Sequence, residues 1–213
     1  MAPRDRPPAF VRERRMTRDA SVGPGRRDLN PTLDVAANRS AKKWTARENA
    51  IRIAWALVQP LFRFSPRPLW HWRATLLRAF GARIGRNVHV YPSVRIAIPW
   101  TLTIGDDSAI GDGAIVYSLG QITIGRAVTV SQHVHLCAGT HDHRRPDFPL
   151  LKPPITVGDG AWLCADVYVG PGVVIGEAAI AAARAVVIRD LPPRCIAAGN
   201  PAAVKRYREP PAK

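Results

Sequence analysis

The chain has 213 residues, long enough for one good-sized core or two small ones, with 46% hydrophobic residues and a formal charge of +15. Most of that excess lies in front: residues 1–40 hold nine Lys/Arg against five Asp/Glu, residues 41–80 eight against one, residues 81–213 fourteen against ten. No zinc-finger spacing or aromatic-interleaved basic motif accompanies the charge, which argues against nucleic-acid binding and for a solvated basic face.

Residues 1–43 are read as a disordered basic tail, because Met1 to Arg39 is rich in Arg, Pro and Gly and too poor in apolar residues to offset its ordering entropy. It shows no positively charged start followed by an apolar run and a small-residue cleavage site, so no secretory signal is expected. Residues 44–82 differ. Thr45 and Glu48 form a capping-box signature, and Ile51, Trp55, Val58 and Phe62 follow at helical spacing. Pro60 is expected to interrupt this helix and Pro66-Arg67-Pro68 to end it. A second apolar-basic stretch, Leu69 to Phe80, carries Trp70, Trp72, Leu76 and Leu77 with Arg73 and Arg78 between them. Neither stretch reaches the ~20 apolar residues of a membrane span. The segment therefore reads as a helical cap over the open end of a repeat, or as a basic amphipathic pair in peripheral contact with an anionic membrane through residues 44–80.

From Ile84 to Ile188 an aliphatic residue recurs every six positions: Ile84, Val90, Ile96; Ile104, Ile110, Val116; Ile124, Val130, Leu136; then Val157, Leu163, Val169, Ile175, Ala181, Val187. Small or β-branched residues follow four places later, as in Val88, Ser108, Ala114, Val134 and Val173, and Gly often stands directly after the aliphatic residue. This is the pattern of a parallel β-helix, three hexads closing one triangular coil, with inward residues buried by stacking on the neighbouring coil. The fold class expected is mainly β, a parallel β-helix of about five coils over residues 83–192, with a tail over 193–213. The first two coil steps are 20 residues, an 18-residue coil plus a two-residue bulge near Pro99-Trp100 and Leu119-Gly120. The step from Ile124 to Val157 is 33, which extrudes a loop over residues 139–154. Cys137, Cys164 and Cys195 form no CxxC pair, fall at or near inward or corner positions, and fit a reducing compartment.

The extruded loop opens Gly139-Thr140-His141-Asp142-His143. Loops carried on a rigid scaffold concentrate function, and His141 is the general-base candidate, against the plain reading of a solvent-exposed loop histidine. Adjacent Asp142 rarely faces such a neighbour, and Tyr117 and Ser118 lie at the corner bulge expected to face the loop. His133, His135, His141 and His143 together could also suggest a zinc site; His133 and His135 flank inward Val134 and are expected to point outward.

Several motifs then carry a family resemblance: Cys137-Ala138-Gly139-Thr140-His141-Asp142, Gly158-Asp159-Gly160-Ala161-Trp162, Val169-Gly170-Pro171-Gly172-Val173 and Ala198-Gly199-Asn200-Pro201-Ala202. With the hexads, and with Trp72-Arg73, Phe80-Gly81-Ala82, Tyr91-Pro92 and Ser131-Gln132 in front, the chain resembles the hexapeptide-repeat acyltransferases over about residues 45–208. Within them it looks most like the colanic-acid-type O-acetyltransferases, close to the maltose, galactoside and nodulation enzymes. The resemblance implies a left-handed helix, whose hand the spacing itself leaves open, and a cytoplasmic homotrimer with each active site between two prisms. It implies acetyl-CoA as co-substrate, no metal, and a sugar or glycan acceptor, with His141 taking the acceptor's hydroxyl proton and a backbone N–H meeting the oxyanion. Motif positions put Ala165 and Ala183 along the pantetheine arm, Ile188 and Arg189 beside the phosphates, and Arg206, with Lys205, near the adenine end. Tyr117, Ser118 and Asp142 are the acceptor-side residues. The maltose and galactoside enzymes often have His-Pro where this chain has His141-Asp142, which leaves the acceptor pocket open. The other classes considered are a zinc enzyme of carbonic-anhydrase type and a catalytically silent scaffold on the same prism.

Overall fold

The computed structural model describes residues 34–209. Of the tail expected over residues 1–43, the part over residues 1–33 lies outside them. Three short helices come first: α1 (Val35–Ser40), α2 (Ala46–Arg63) and α3 (Trp70–Ala79). Eighteen short strands and one longer one follow.

The strands form three faces of a stacked-coil prism. On the first face, Arg83–Ile84, Leu102–Ile104, Ile122–Ile124, Ile155–Val157 and Val174–Ile175 pair in parallel. The third face stacks Arg95–Ile96, Ile115–Tyr117, His135–Cys137, Tyr168–Val169 and Val186–Val187. The register is that of the hexads: Ile84 sits on Ile104, Val90 on Ile110, Ile96 on Val116. Inward columns such as Ile96, Val116, Leu136, Val169 and Val187 are buried, so each coil hides its apolar stripe only against its neighbours. The second face runs from His89–Val90 through Ile180–Ala181 and does not stop where the hexads end. Cys195–Ala198 adds in parallel, and Ala203–Tyr207 folds back antiparallel on it. The expected tail over residues 193–213 is thus, up to Tyr207, part of the sheet: Cys195 and Ala197 are buried and continue the inward alternation.

The corner glycines serve close approach. A Cβ on Gly85 or Gly125 would collide with the carboxylate of Asp106 or Asp159 in the next coil. Those carboxylates reach back over the glycine to accept from the amides of Arg86 (2.7 Å) and Arg126 (2.8 Å). Both aspartates are held below the usual carboxylate range, first by these backbone bonds and then by the Arg side chains. The left-handed backbone falls two positions later, on non-glycine residues such as Asn87, Asp107 and Ala127.

The cap is real. Trp55 and Phe62 of α2 and Ala74 and Leu77 of α3 join the prism core against Ala82 and Ile84. The Trp55 indole donates to the Ile96 carbonyl (2.9 Å). The Thr45–Glu48 capping box forms as expected. Pro60, in contrast, does not break α2, which continues to Arg63. Proline withholds one amide from the ladder, but burial of Phe62 one residue pair later holds the last turn in place. Arg73 is buried with the cap: it is 0% exposed, and its guanidinium donates to the carbonyls of Val90, Pro66 and Arg67 and to the Ser65 hydroxyl.

Candidate functional site

The extruded segment is a β-hairpin. Thr140–His141 pairs antiparallel with Leu150–Leu151, and the Asp142 amide donates to the Pro149 carbonyl (3.0 Å). It leaves the corner between the third and first faces at the third coil. Its base packs where Gly139 meets Tyr117 and Leu119, and where the Gly120 backbone lies against Lys152 and Pro153.

His141 stands exposed on the first hairpin strand. Its Nδ1 lies 2.6 Å from the Phe148 carbonyl. A carbonyl only accepts, so Nδ1 carries the hydrogen and Nε2 of the neutral ring keeps its lone pair. The group that orients the imidazole is therefore a backbone carbonyl across the hairpin. Asp142 accepts from the Arg144 amide (3.1 Å) and shapes the turn, and Asp147 is ion-paired with Arg145 (2.9 Å).

The hairpin tip is itself held. The Asn38 side-chain amide donates to the carbonyl of Asp147 (2.7 Å) and to that of Phe148, the same oxygen that meets His141. The Asp34 amide donates to the Pro146 carbonyl (2.9 Å). Residues 34–43, expected to be part of a disordered tail, are thus ordered: Asp34 caps α1 through the Ala37 amide, and the helix docks on the hairpin. Trp44 fixes the link to α2, with the Lys152 ammonium 3.5 Å from its ring centroid and the Arg52 guanidinium at 4.6 Å. Composition gave no warning of this, since six residues with a single cap are too few to register as a helix.

Tyr117 is exposed at the hairpin base, where its register partner is Cys137. Ser118 is different. It is fully buried, its hydroxyl donating to the Ile98 carbonyl (2.7 Å) and accepting from the Ile98 amide (3.0 Å). The acceptor-side expectation for Ser118 is corrected: it ties the two corner bulges together, because a buried hydroxyl in an apolar column must satisfy itself on the neighbouring coil.

The residues expected to line the co-substrate fall on the last coils. Ala165 and Ala183 occupy the same corner in successive coils, the Arg184 amide donating to the Ala165 carbonyl (2.9 Å). Ile188 and Arg189 follow Val186–Val187 at the corner from which the hairpin leaves, two coil steps further on, roughly 10 Å along the prism at ~4.8 Å per strand. Lys205 and Arg206 lie on the returning strand Ala203–Tyr207. Arg189, Lys205 and Arg206 are exposed and enter no salt bridge among the described residues.

The remaining histidines scatter. His133 is an exposed left-handed corner residue and His143 sits in the hairpin turn. His135 points to the outer side of the third face, as expected from its place between inward Val134 and Leu136, but it is half-buried there between Tyr117 and Tyr168, ring centroids 6.5 and 5.4 Å away, with its Nε2 buried and unpartnered among the described residues. Burial holds its imidazole below the ordinary histidine value. Among the described residues no group of three His, Cys, Asp or Glu side chains is placed to hold a metal. Burial pushes the Cys164 and Cys195 thiols up, away from thiolate chemistry.

No family model matches the chain. Among curated proteins it is 46% identical over 162 residues to the putative colanic acid biosynthesis acetyltransferase WcaF of Escherichia coli K12, covering 75% of this chain and 89% of that one. Among solved structures it resembles the hexapeptide-repeat acetyltransferase VCA0836 of Vibrio cholerae complexed with acetyl coenzyme A, at 25% identity and a TM-score of 0.72 over 79% of this chain and 93% of that one. It equally resembles a galactoside acetyltransferase in complex with coenzyme A, at 25% identity and a TM-score of 0.71 over 78% and 84% of the two chains. The motifs, the stacked coils with their one extruded hairpin, and the extent of the match to WcaF make this chain a member of the hexapeptide-repeat acetyltransferases, of the colanic acid biosynthesis type.

Proposed function

We propose that the protein moves an acetyl group from acetyl-CoA to a hydroxyl of a sugar in an exopolysaccharide or its precursor, with His141 as general base. The single observation that carries the base is the Nδ1–H bond to the Phe148 carbonyl, which leaves Nε2 free for an incoming hydroxyl. The acceptor O–H passes its proton to Nε2 as its oxygen attacks the thioester carbonyl. The C–S bond then breaks, and the imidazolium returns the proton to the leaving thiolate. No covalent enzyme intermediate is needed, which agrees with the raised Cys164 and Cys195 thiols.

The CoA-bound relatives support acetyl-CoA as donor. In this chain Ala165 and Ala183 would leave room for the pantetheine arm, and Arg189, Lys205 and Arg206, with no carboxylate partner among the described residues, would meet its phosphates beside Ile188. Arginine offers these anions a forked donor set where lysine would offer a point charge. Tyr117 and Asp142, at the base and tip side of the hairpin, would contact the acceptor. His141 is exposed on a single chain, which fits a site completed by a neighbouring prism in a homotrimer, working in the cytoplasm where acetyl-CoA is made. The names of WcaF and of the galactoside O-acetyltransferase of E. coli K12, the latter 29% identical over 137 residues, support a sugar acceptor.

The test is His141→Ala, assayed by thiol release from acetyl-CoA across a panel of sugar acceptors, with light scattering to follow assembly. Transfer should fall by about 100- to 10,000-fold while the oligomer persists. Transfer that survives in a folded variant overturns the general-base assignment.

A further inference from the structure

The inner side of α2 caps the prism; its outer side has no partner among the described residues. Around the helix, the arc opposite Trp55 holds Ala46, Ala50, Ile53, Leu57, Leu61 and Phe64 and not one charged residue. Leu57 is 76% and Phe64 85% exposed, an inversion of the usual polar outer face of a cap. Trp72 of α3 extends the patch, half-exposed, with its indole donating to the Leu61 carbonyl (3.2 Å). Arginines border the strip: Arg52 and Arg63 on one side, Arg47 on the other, and Arg67 past its Phe64 end. The segment's one acid, Glu48, is tied into the capping box, its carboxylate held below the usual range by the Thr45 amide and hydroxyl. Residues 41–80 carry eight Lys/Arg against that single acid.

We propose that this face of α2 docks the protein on an anionic lipid surface. Charge complementarity chooses the occupant. A second copy of the same face would bring its own arginines against these. An anionic bilayer matches the rim with its headgroups and the strip with its acyl boundary, and an indole suits the interface between them. The geometry is that of a helix lying in the interface plane; no helix among the described residues is long and apolar enough to cross a membrane.

The experiment is co-sedimentation of the full chain with vesicles of phosphatidylcholine alone and of phosphatidylcholine mixed with phosphatidylglycerol, at low and high salt. Binding is expected to the anionic vesicles and to weaken with salt. Leu57→Glu, at a solvent-exposed position, should cut the partition constant by at least about tenfold, and Phe64→Ser is the second variant of the same strip. Replacing Arg52 and Arg63 by Gln should cost about fivefold for each charge. Absence of binding to either vesicle overturns the proposal. So does binding that Leu57→Glu and Phe64→Ser leave unchanged, which would place the contact elsewhere in the chain, residues 1–33 included. A change of oligomeric state in Leu57→Glu without vesicle binding would show the face covered by a second copy, and would overturn it too.

Discussion

Asn38 is the sharpest test of how the hairpin that carries His141 is held. Among the described residues its amide is the one side chain that bonds both tip carbonyls, and one of these, Phe148, also meets the His141 ring. Asn38→Ala deletes the two neutral hydrogen bonds to the tip carbonyls at a half-buried position, each contributing about 0.5–1.5 kcal/mol net, together with the bond that the Lys43 ammonium donates to the Asn38 side-chain oxygen (2.7 Å). Among the described residues the α1 docking would keep the Asp34–Pro146 backbone bond as its hydrogen bond to the tip, so the tip should lose about 1–2 kcal/mol of positional restraint. If that restraint acts on the base, kcat should fall roughly 5- to 30-fold, since about 1.4 kcal/mol is a factor of ten in rate. The KM for acetyl-CoA should stay nearly constant, because its expected contacts lie on the last two coils. Asn38→Asp is the useful companion, placing an acceptor against two carbonyls and doing at least as much harm. Steady-state thiol release at saturating acceptor and varied acetyl-CoA separates the two parameters. A variant with unchanged kcat, or with the whole loss in KM for acetyl-CoA, would refute the coupling between α1 and His141.

Two further outcomes bear on the scaffold. Leu77, 0% exposed, closes the open first coil from α3, and Leu77→Ala should cost about 2–5 kcal/mol in denaturant unfolding while leaving acetyl transfer per folded molecule unchanged. His135 gives the pH prediction: its folded pKa is depressed by burial, so below the ordinary value of about 6.5 the unfolded chain binds the proton more readily. The stability it contributes is therefore complete above that value and is lost as pH falls through the window just beneath it. Thermal midpoints across that range should slope less in His135→Asn than in the parent, and an identical slope would refute the burial account.

What the sequence disclosed divides along a physical line. Coil register was legible because it is written in nearest-neighbour columns: Ile84, Ile104 and Ile124 must be aliphatic for the coils to stack, so the period itself reports the contact. The long step after Ile124 likewise betrayed the hairpin and placed His141 on it. The hairpin's anchorage was not legible, because its acceptors are backbone carbonyls, which any residue supplies, and its donor Asn38 lies more than a hundred residues upstream. Ser118 misled for the opposite reason. A hydroxyl at a corner reads as a substrate contact, yet a bulge that repeats in adjacent coils needs its own internal tie. Arg73 was not legible as a buried group, since nothing in its flanking pattern tells that four oxygens wait for a guanidinium there.

The choice of a carbonyl rather than a carboxylate behind His141 has a chemical consequence. Both orient the ring and fix the hydrogen on Nδ1. A carboxylate would add a full negative charge to stabilise the imidazolium and so hold the proton longer. Here the nearby acids are engaged elsewhere, Asp142 with the Arg144 amide and Asp147 with Arg145, and the Asp147 carboxyl is held below the usual range by that guanidinium. In the proposed reaction the base needs to hold its proton only until the thiolate departs. An oriented but uncharged partner suits that short tenure, since the imidazolium is left readier to give the proton up. Substituting a carboxylate for the carbonyl is not available by side-chain mutation, because the oxygen belongs to the main chain. The restraint on that oxygen can still be varied through Asn38, which makes the α1 helix the handle on the proposed base.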